Sequence, residues 1–434
     1  RMKNKDMENK IKTVVPTLRF PEFRGTEGWE MVLIGNIGET YGGLTGKNKT
    51  DFGNGKKYIT YKQVYNYSFV DITHCDFVCI NASEKQNHIK FGDILFTQSS
   101  ETPEEVGISS VMLDKTNETI YLNSFCFGLR PFDLKRISPY FSKYLFRSQV
   151  FRSKIIPLAQ GITRFNISPT KFKTIKIPIP TSIYNDQENT EQQKIADCLS
   201  SLDDLIEATT KKVEALKEHK KGLMQRLFPA KGKNVPDLRF PEFQGTSVWE
   251  EKKLGKIGNF IGGGTPNTTN PEYWDGEILW YTPTEIKNGY LKSSNRKITK
   301  QGLKNSSAKL LPKGAILITT RATIGDVAIS KKECTTNQGF QSLVVNDSEI
   351  NLFWFYWIIQ HKEELIKKAS GSTFKEIGKN EIINIIAYSA KKQEQQKIAD
   401  CLSSIDELIE ATTRKIEVLK EHKKGLMQQL FPKI

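Results

Sequence analysis

Two long stretches of the chain have mostly hydrophobic residues at positions spaced alternately four and three apart, with one Thr and one Lys among these positions in each stretch. The first runs from Ile195 to Leu227 and the second from Ile398 to Leu430. This sustained seven-residue periodicity indicates the seam of a coiled coil rather than a broad core-facing helix surface. The predicted seam residues are Ile195, Leu199, Leu202, Ile206, Val213, Leu216 and Leu223 in the first stretch and Ile398, Leu402, Ile405, Ile409, Ile416, Leu419 and Leu426 in the second.

The charges on these helices indicate how they pair. A helix of about 39 residues at roughly 1.5 Å per residue would form a rod of about 58 Å. A Phe-Pro pair, at which proline stops a helix, follows each stretch. Residues 188–207 contain six acids and one base, whereas residues 208–229 contain six bases and two acids. Antiparallel pairing places the acidic half of one helix beside the basic half of the other. We therefore predict an antiparallel coiled coil with a pseudo-twofold axis.

Short apolar runs separated by turn residues precede each long helix, and they predict mixed α/β (α+β) domains. Strand-like runs lie at 58–61, 94–96, 278–281, 315–318 and 327–329. Helical patterns lie at 139–152 and 352–369. The predicted fold is thus two α/β domains joined by two long helices.

The chain repeats its own framework. The hexapeptide Leu-Arg-Phe-Pro-Glu-Phe occurs at 18–23 and again at 238–243, and residues 191–201 are identical to residues 394–404. Between these segments the two halves scarcely resemble each other, which indicates duplicated domains that act in parallel on different targets. The predicted divisions are a disordered N-terminal tail at 1–16, a first variable domain at 17–187, a first helical spacer at 188–230, a second variable domain at 231–390 and a second helical spacer at 391–434.

The net charge of +15 lies mainly in the variable domains. The segments 188–229 and 391–433 carry only −1 and +2, which leaves +14 on the rest of the chain. Basic domains beside nearly neutral helices favour a polyanionic partner, most often a nucleic acid. The alternative is a lysine-rich proteome in which the charge serves no particular partner.

The cellular compartment follows from what the sequence does not contain. No apolar run approaches the length of a membrane span. The first fifteen residues are polar and lysine-rich, so we expect no secretory leader. Six cysteines without a disulfide-like pattern are typical of a reducing compartment. We expect a cytoplasmic protein.

No catalytic motif is complete. The glycine-rich run at 42–47 has one residue too few for a phosphate-binding loop, and no cofactor loop or Asn/Asp-Pro-Pro-aromatic motif of a base methyltransferase occurs. A nuclease-like set of Pro236, Asp237, Glu250 and Lys252 has no counterpart for its lysine in the first half. His74, Cys75 and Cys79 lack a second pair of zinc ligands. We predict no metal and no cofactor in this chain.

Six loops rich in hydrogen-bond donors provide the positive evidence. Arg, Lys, Asn and Gln make bidentate contacts with base edges, while Ser, Thr and Lys hold phosphates. A single such loop is usually a solvated surface, but six in two basic domains favour DNA. The candidate DNA contacts are Lys47, Asn48, Lys49, Gln98, Ser99 and Arg164 in the first domain and Thr265, Asn267, Thr268, Arg321, Thr323, Asn337, Gln338, Thr373 and Lys375 in the second.

A set of motifs resembles a known family. The repeated Leu-Arg-Phe-Pro-Glu-Phe, Gly-Gly-Thr-Pro at 263–266, Arg-Ala-Thr-Ile-Gly at 321–325, Thr-Asn-Gln-Gly-Phe at 336–340 and the repeated Glu-Gln-Gln-Lys-Ile-Ala-Asp are typical of it. In this combination the chain resembles the specificity subunit of type I restriction–modification systems over essentially its whole length. The first half departs from the pattern, with Leu44-Thr45 and Gln98-Ser99-Ser100 at the corresponding places. The two halves are therefore expected to read different sequences.

The resemblance implies a non-catalytic subunit that reads double-stranded DNA. The variable domains would be target-recognition domains for the two halves of a split, asymmetric site. The helices would dock two methyltransferase subunits, which bring S-adenosylmethionine. Translocase–nuclease subunits, with ATP and Mg²⁺, would join through the methyltransferases.

Two other classes of function remain open. One is a stand-alone enzyme that modifies or cleaves DNA, which the missing motifs disfavour. The other is a coiled-coil adaptor whose basic domains bind RNA or protein. A mobility-shift comparison of duplex DNA with single-stranded RNA separates the adaptor from the DNA reader.

Overall fold

The computed structural model describes residues 13–181, 190–371 and 375–433. The chain forms two compact units. Unit 1 comprises the chain up to Thr209 together with Lys415 onward, and unit 2 comprises Thr210–Arg414. Each unit therefore contains one variable domain, part of the first long helix and part of the second.

Unit 1 is built mainly from short strands. Its strands are β1 (Thr13–Val14), β2 (Trp29–Leu33), β3 (Gly38–Gly42), β4 (Phe52–Ile59), β5 (Asp76–Val78), β6 (Ile94–Thr97), β7 (Ser99–Ser100), β8 (Ser109–Val111), β9 (Tyr121–Leu122), β10 (Cys126–Pro131), β11 (Phe165–Asn166) and β12 (Lys176–Ile179). Its helices are α1 (Tyr61–Asn66), α2 (Pro139–Leu145), α3 (Gln149–Ile155), α4 (Pro169–Lys173) and the start of α5 (Glu191–Leu227).

The main sheet of unit 1 is antiparallel, with the order β3-β10-β6-β8. The smaller sheets are β5-β4-β9, β1-β2-β12 and the pair β11-β7. One hydrophobic cluster contains Phe96 and Phe127 of the main sheet, Phe141 of α2 and Ile195 of α5. Burial of these apolar side chains is the main driving force that holds the sheet and helices together.

Unit 2 continues along the chain with a similar set of elements. Its strands are β13 (Glu250–Lys253), β14 (Gly258–Gly262), β15 (Trp274–Tyr281), β16 (Gly289–Leu291), β17 (Arg296–Ile298), β18 (Ile316–Ile318), β19 (Val327–Ser330), β20 (Cys334–Thr336), β21 (Gln341–Val345) and β22 (Ile386–Ser389). Its helices are α6 (Lys300–Lys304), α7 (Asn351–Gln360), α8 (Lys362–Lys368), α9 (Lys379–Ile383) and most of α10 (Lys392–Leu430).

The sheets of unit 2 correspond to those of unit 1. The order β14-β21-β18-β19, with an extra parallel strand β16, matches β3-β10-β6-β8 in order and orientation. Likewise β17-β15-β20 matches β5-β4-β9, with one antiparallel and one parallel pairing in each. The divergent variable regions thus form sheets of the same order.

Several predicted elements differ from the observed ones. The strand predicted at 58–61 ends at Ile59, because the Thr60 side chain accepts a hydrogen bond from Gln63 N and so caps α1. The helix predicted at 139–152 is two helices, α2 and α3, and the one predicted at 352–369 is α7 and α8, with a break at His361. The other predicted strands coincide with β6, β15, β18 and β19.

The predicted disordered tail at 1–16 lies mostly outside the described residues. Thr13 and Val14, which belong to that range, form β1 and pair with Glu30 and Trp29. Thr13 and Val14 are therefore paired although they lie within the range predicted to be disordered, because the edge of β2 offers backbone groups for pairing.

Both long helices end where the sequence predicts, immediately before Phe-Pro. Every predicted seam residue is buried or half-buried. In unit 1, Asp203 of α5 pairs with Lys423 of α10, and Ile195 lies in one cluster with Leu430. These contacts join the beginning of one helix to the end of the other, so the two segments in unit 1 run in opposite directions.

Unit 2 has the reciprocal arrangement. Asp406 of α10 pairs with Lys220 of α5 at 2.6 Å. Ile398 near the start of α10 shares a cluster with Leu227 at the end of α5. The two helix segments of this unit therefore also run in opposite directions.

Buried ion pairs attach each repeated hexapeptide to its helix. Arg19 Nε donates to Glu191 Oε1 at 2.7 Å, and Arg239 Nε donates to Glu394 Oε1 at 2.7 Å. A second bond from Nη2 makes each pair bidentate. The identical sequences thus make identical contacts in the two units.

No helix in the described part of the chain is both long and apolar enough to cross a membrane.

Candidate functional site

A polar edge in unit 2 gathers several of the predicted contacts. Gly263 closely approaches the 336–337 backbone, because a Cβ there would lie 2.0 Å from the Asn337 carbonyl oxygen. This approach allows Thr265 Oγ1 to donate to Gln338 Oε1 at 2.6 Å. Asn337 Oδ1 accepts from Gly339 N at 2.9 Å and fixes the turn. Thr265, Asn337 and Gln338, taken from two distant loops, therefore lie together.

Arg321 lies at the same edge, because the preceding residue, Thr320, is hydrogen-bonded to the turn at 337–339. Thr320 N donates to Gly339 O at 2.8 Å, so the turn that carries Gln338 lies beside the strand end that carries Arg321. Arg321 pairs in turn with Glu376 as an antiparallel bridge. Arg321, Thr323, Lys375 and Glu376 line an open cleft of about 770 Å³.

The remaining candidates of unit 2 lie on neighbouring loops. Asn267 and Thr268 are exposed, and Asn267 Oδ1 accepts from Thr269 N at 3.0 Å in a local turn. The loop is anchored because Trp274 Nε1 donates to Asn267 O at 3.1 Å. Thr323 is exposed beside Arg321. Thr373 lies outside the described residues.

Unit 1 has a corresponding edge that the sequence did not reveal. Gly43 approaches Asn123 as Gly263 approaches Asn337, with a Cβ position 2.0 Å from the Asn123 carbonyl oxygen. Asn123 Oδ1 accepts from Phe125 N at 2.9 Å. Gln98 N donates to Phe125 O at 2.8 Å, which matches the bond from Thr320 to Gly339. By these bonds Asn123 corresponds to Asn337, Phe125 to Gly339 and Gln98 to Thr320.

Arg164 lies on the edge of unit 1. Its guanidinium carbon lies 4.7 Å from the centroid of the Phe125 ring, a cation–π contact. Phe125 is 46% exposed, which is unusual for an aromatic side chain of this size. The sequence pattern did not predict Asn123 and Phe125 as site residues, because the segment 122–126 shares only its asparagine with the motif Thr-Asn-Gln-Gly-Phe at 336–340.

Four candidates of unit 1 have structural roles that the sequence did not predict. Ser99 is only 6% exposed and lies within β7, where it pairs with Asn166 of β11. Gln98 is half-buried, and its carbonyl oxygen accepts from Ile167 N. Both are therefore held in the two-stranded sheet, whose pairing was not evident from the sequence.

Lys47 and Asn48 are also engaged internally. The Lys47 side chain is 5% exposed and its Nζ pairs with Glu84 at 2.6 Å. Hydrogen bonds from Lys47 and Gln86 lower the pKa of Glu84 to about 2, so the pair is ionised at neutral pH. Asn48 caps a short helical turn by accepting from Thr50 N at 3.0 Å. Of this loop, Lys49 remains the exposed cation.

Two half-buried arginines hold the segments around the edge of unit 1. Arg147 donates to the carbonyl oxygens of Tyr67 at 2.7 Å and Ser109 at 2.6 Å. Arg152 donates to Glu104 O at 2.7 Å and Val106 O at 2.9 Å. Burial lowers the pKa of each guanidinium to about 10, which leaves both charged at neutral pH. Their bonds fix the backbone at Tyr67 and in the segment 104–109, where the sequence predicted no site.

The histidine and cysteines at 74–79 are engaged in other contacts. His74 Nδ1 lies 2.7 Å from Asp71 Oδ2, and Cys79 Sγ donates to Asn54 O at 3.4 Å. Burial raises the pKa of the Cys75 thiol to about 11, which disfavours the thiolate that metals bind. Over residues 13–181, 190–371 and 375–433, no cluster of three or more His, Cys, Asp or Glu could hold a metal ion.

The two polar edges occur in a chain whose halves both match one family. The model of the type I restriction modification DNA specificity domain matches residues 26–218 and 246–421. These matches cover most of the chain, one in each half, so the chain belongs to that family. The family comprises the non-catalytic, DNA-recognising components of restriction–modification complexes.

Particular relatives agree with this assignment. The type I restriction enzyme MjaIX specificity subunit of Methanocaldococcus jannaschii is 37% identical over 201 residues, which are 44% of this chain and 46% of that protein. The putative MjaX specificity subunit of the same organism is 29% identical over 424 residues, 93% of each chain. The chain thus spans just under half the length of the first relative and nearly all of the second.

Two solved structures share the fold. The crystal structure of the S subunit of a type I restriction–modification system from M. genitalium has a TM-score of 0.55 and 17% identity, covering 97% of this chain and 100% of that one. A chain from a structural study of the assembly of the type I R-M system has a TM-score of 0.58 and 18% identity, covering 93% and 98%. At these identities the likeness concerns the fold alone.

Proposed function

We propose that this chain is the specificity subunit of a type I restriction–modification complex and reads a bipartite, asymmetric site in double-stranded DNA. Unit 1 reads one half-site and unit 2 reads the other. The observation that carries the proposal is the polar edge that recurs in both units on corresponding backbone bonds but with different side chains. Two domains that share a backbone arrangement but differ in their hydrogen-bonding side chains are suited to recognise two different base sequences.

The side chains of each edge suit base reading. In unit 2, Arg321 and Gln338 are exposed and Asn337 is half-buried, and these residue types make bidentate contacts with guanine and adenine. Other residues are proposed to contact the sugar–phosphate backbone of the DNA and so to position it. They are Thr265, Asn267, Thr268, Thr323, Thr373 and Lys375. In unit 1 the readers are Arg164, Asn123 and Phe125, with Lys49 as a phosphate contact.

The helices supply the platform for partners. Outside their buried seam, α5 and α10 expose nearly the same residues in the two copies of the repeated segments, except that Gln193 and Lys194 are half-buried where Gln396 and Lys397 are exposed. Two similar surfaces favour two copies of one partner. We propose that they bind two methyltransferase subunits carrying S-adenosylmethionine, and that translocase–nuclease subunits with ATP and Mg²⁺ join through these in the cytoplasm. The pairing of α5 with α10 is proposed to form one antiparallel coiled coil in an internally duplicated chain with a pseudo-twofold axis.

Selection from a random duplex library tests the DNA-reading function. The full chain should enrich a motif of two separated halves with different sequences. Methylation mapping of genomic DNA with and without this gene should find the same motif. A chain that enriches no duplex sequence but shifts single-stranded RNA would instead be an adaptor.

A further inference from the structure

The pairing of Arg321 with Glu376 distinguishes the edge of unit 2 from that of unit 1. Arg321 Nε lies 2.8 Å from Glu376 Oε1, and both side chains are about half exposed, at 47% and 45%. In the described part of the chain no other acidic group pairs with Arg321. A carboxylate near a DNA surface repels phosphates, so its presence needs a reason other than affinity.

The backbone fixes the position of both partners. Glu376 exchanges hydrogen bonds with Ser370, N to O at 2.9 Å in each direction, while it also bridges to Arg321. Thr323 N donates to Arg321 O at 2.6 Å across Ala322, whose φ of +57° is uncommon for a residue with a side chain. Such strained backbone conformations cluster at functional sites. Both Cα positions are therefore set before DNA arrives.

The geometry points to an orienting device: we propose that Glu376 is a positioning residue that holds Arg321 to read one guanine in the half-site of unit 2. This inference rests on the proposed function. The nearest approach of the carboxylate is to Nε, and we expect the Nη1 and Nη2 end to remain available for a bidentate contact with guanine O6 and N7. An arginine held in this way loses less side-chain entropy on binding and cannot turn freely to a phosphate.

At the corresponding described positions unit 1 has no ion pair, because Ser99 lies opposite Asn166. Ser99 pairs with Asn166 in unit 1, as Arg321 pairs with Glu376 in unit 2. A matching backbone bond lies beside each pair: Ile167 N donates to Gln98 O, and Ile377 N donates to Thr320 O. Arg321 therefore corresponds to Ser99, and Glu376 corresponds to Asn166. Recognition of guanine by an ion-paired arginine is therefore proposed for the half-site of unit 2 and not for that of unit 1. This difference makes the recognised site asymmetric.

The test compares duplex-library selections by the full chain and by three variants. The wild type should enrich guanine at one position of one half-site. Arg321→Ala should lower that preference about 5- to 150-fold. Glu376→Gln should lower the preference at the same position, while its affinity for unselected duplex stays equal or rises because a negative charge is removed. Glu376→Asp, which keeps the carboxylate, should retain much of the preference.

A modified base and a charge control sharpen the result. Replacing that guanine by 7-deazaguanine, which lacks the N7 acceptor, should weaken the wild type but not Arg321→Ala. Glu333→Gln removes an exposed carboxylate elsewhere in unit 2 and should leave the guanine preference unchanged.

Two negative outcomes are distinguishable. A bipartite motif whose guanine preference survives in Glu376→Gln overturns the orienting role and leaves the proposed function intact. The absence of any bipartite motif with the wild type contradicts the proposed function itself.

Discussion

A few side chains at corresponding positions connect each variable domain to both long helices. Tyr144 of α2 donates to Asp203 of α5 at 2.8 Å, and Asp203 also pairs with Lys423 of α10. In unit 2, Tyr356 donates to Asp406 of α10 at 2.7 Å. Burial acts against the charge of Asp203, but the bonds from Lys423 and Tyr144 outweigh it and lower its pKa. Each aspartate thus connects three elements.

Removing the tyrosine hydroxyl should weaken this connection. Tyr144→Phe should lower the free energy of unfolding of unit 1 by about 1.5–3 kcal/mol, because a hydrogen bond to a charged group is lost. Denaturant unfolding measures the change. Tyr140→Phe alters a 46% exposed residue of the same helix and should have little effect. Equal stabilities of the two variants would contradict the role of Asp203.

A half-buried histidine should make unit 2 sensitive to mild acid. Burial lowers the pKa of His361, whose ring stacks on Trp357 at 4.1 Å. The folded state favours the neutral ring, so as pH falls below about 6.5 the unfolded state takes up the proton first and stability decreases. His361→Phe keeps the ring contact and should reduce the loss of stability between pH 7.5 and 5.5, measured by thermal unfolding. His219→Gln, an exposed position on α5 within unit 2, serves as the control.

At the scale of elements, the predicted seam residues of both long helices are all buried or half-buried. A flexible linker would need neither this periodicity nor this length. We therefore expect the helices to fix the distance between the two half-sites.

Inserting one heptad after Thr209 and another after Thr412 tests this expectation. Both insertions preserve the seam, and each adds about 10 Å at roughly 1.5 Å per residue. The variant should retain both half-sites and prefer a spacer longer by about two to four base pairs, since the rise is about 3.4 Å per pair. A four-residue insertion in only one helix should be far more damaging. Methylome sequencing gives the spacer, and an active complex with an unchanged spacer would show that the helices do not set it.

At the scale of the whole molecule, each unit is completed by the helix that began in the other unit. Phe431 is 2% exposed, and its ring centroid lies 6.0 Å from that of Trp29 and 5.6 Å from that of Phe141. Phe228 lies 5.2 Å from Phe353 by the same measure and packs edge-on to Trp249. The core of each unit therefore depends on a distant part of the chain.

Truncating these rings should destabilise the units separately. Phe431→Ala should cost unit 1 about 3–5 kcal/mol, and Phe228→Ala should cost unit 2 a similar amount, because each leaves a cavity in a buried core. Hydrogen exchange resolved by peptide locates the loss. Equal loosening of both units by either variant would contradict their separate cores.

The family assignment predicts that the chain alone is catalytically silent. Purified protein should neither transfer methyl groups, cleave DNA nor hydrolyse ATP until partner subunits are added. The measurement is a set of activity assays with and without partners. Methyl transfer by a preparation shown to lack partners would refute this prediction.

The sequence by itself was sufficient for features that depend on local or periodic patterns. The seam from Ile195 to Leu227, the helix ends at Phe-Pro and the membership of the family all follow from repeated residue types. Heptad periodicity and proline act locally, so a single segment contains their whole signal.

Only the tertiary structure decided which donors lie together at the edges. Lys47 and Ser99 looked like Lys49 and Arg321 in the sequence, but Glu84 and the β7–β11 pairing bury the first two. Those partners lie 37 and 67 residues away along the chain. The exposure of a polar side chain depends on such distant neighbours, which no local pattern contains.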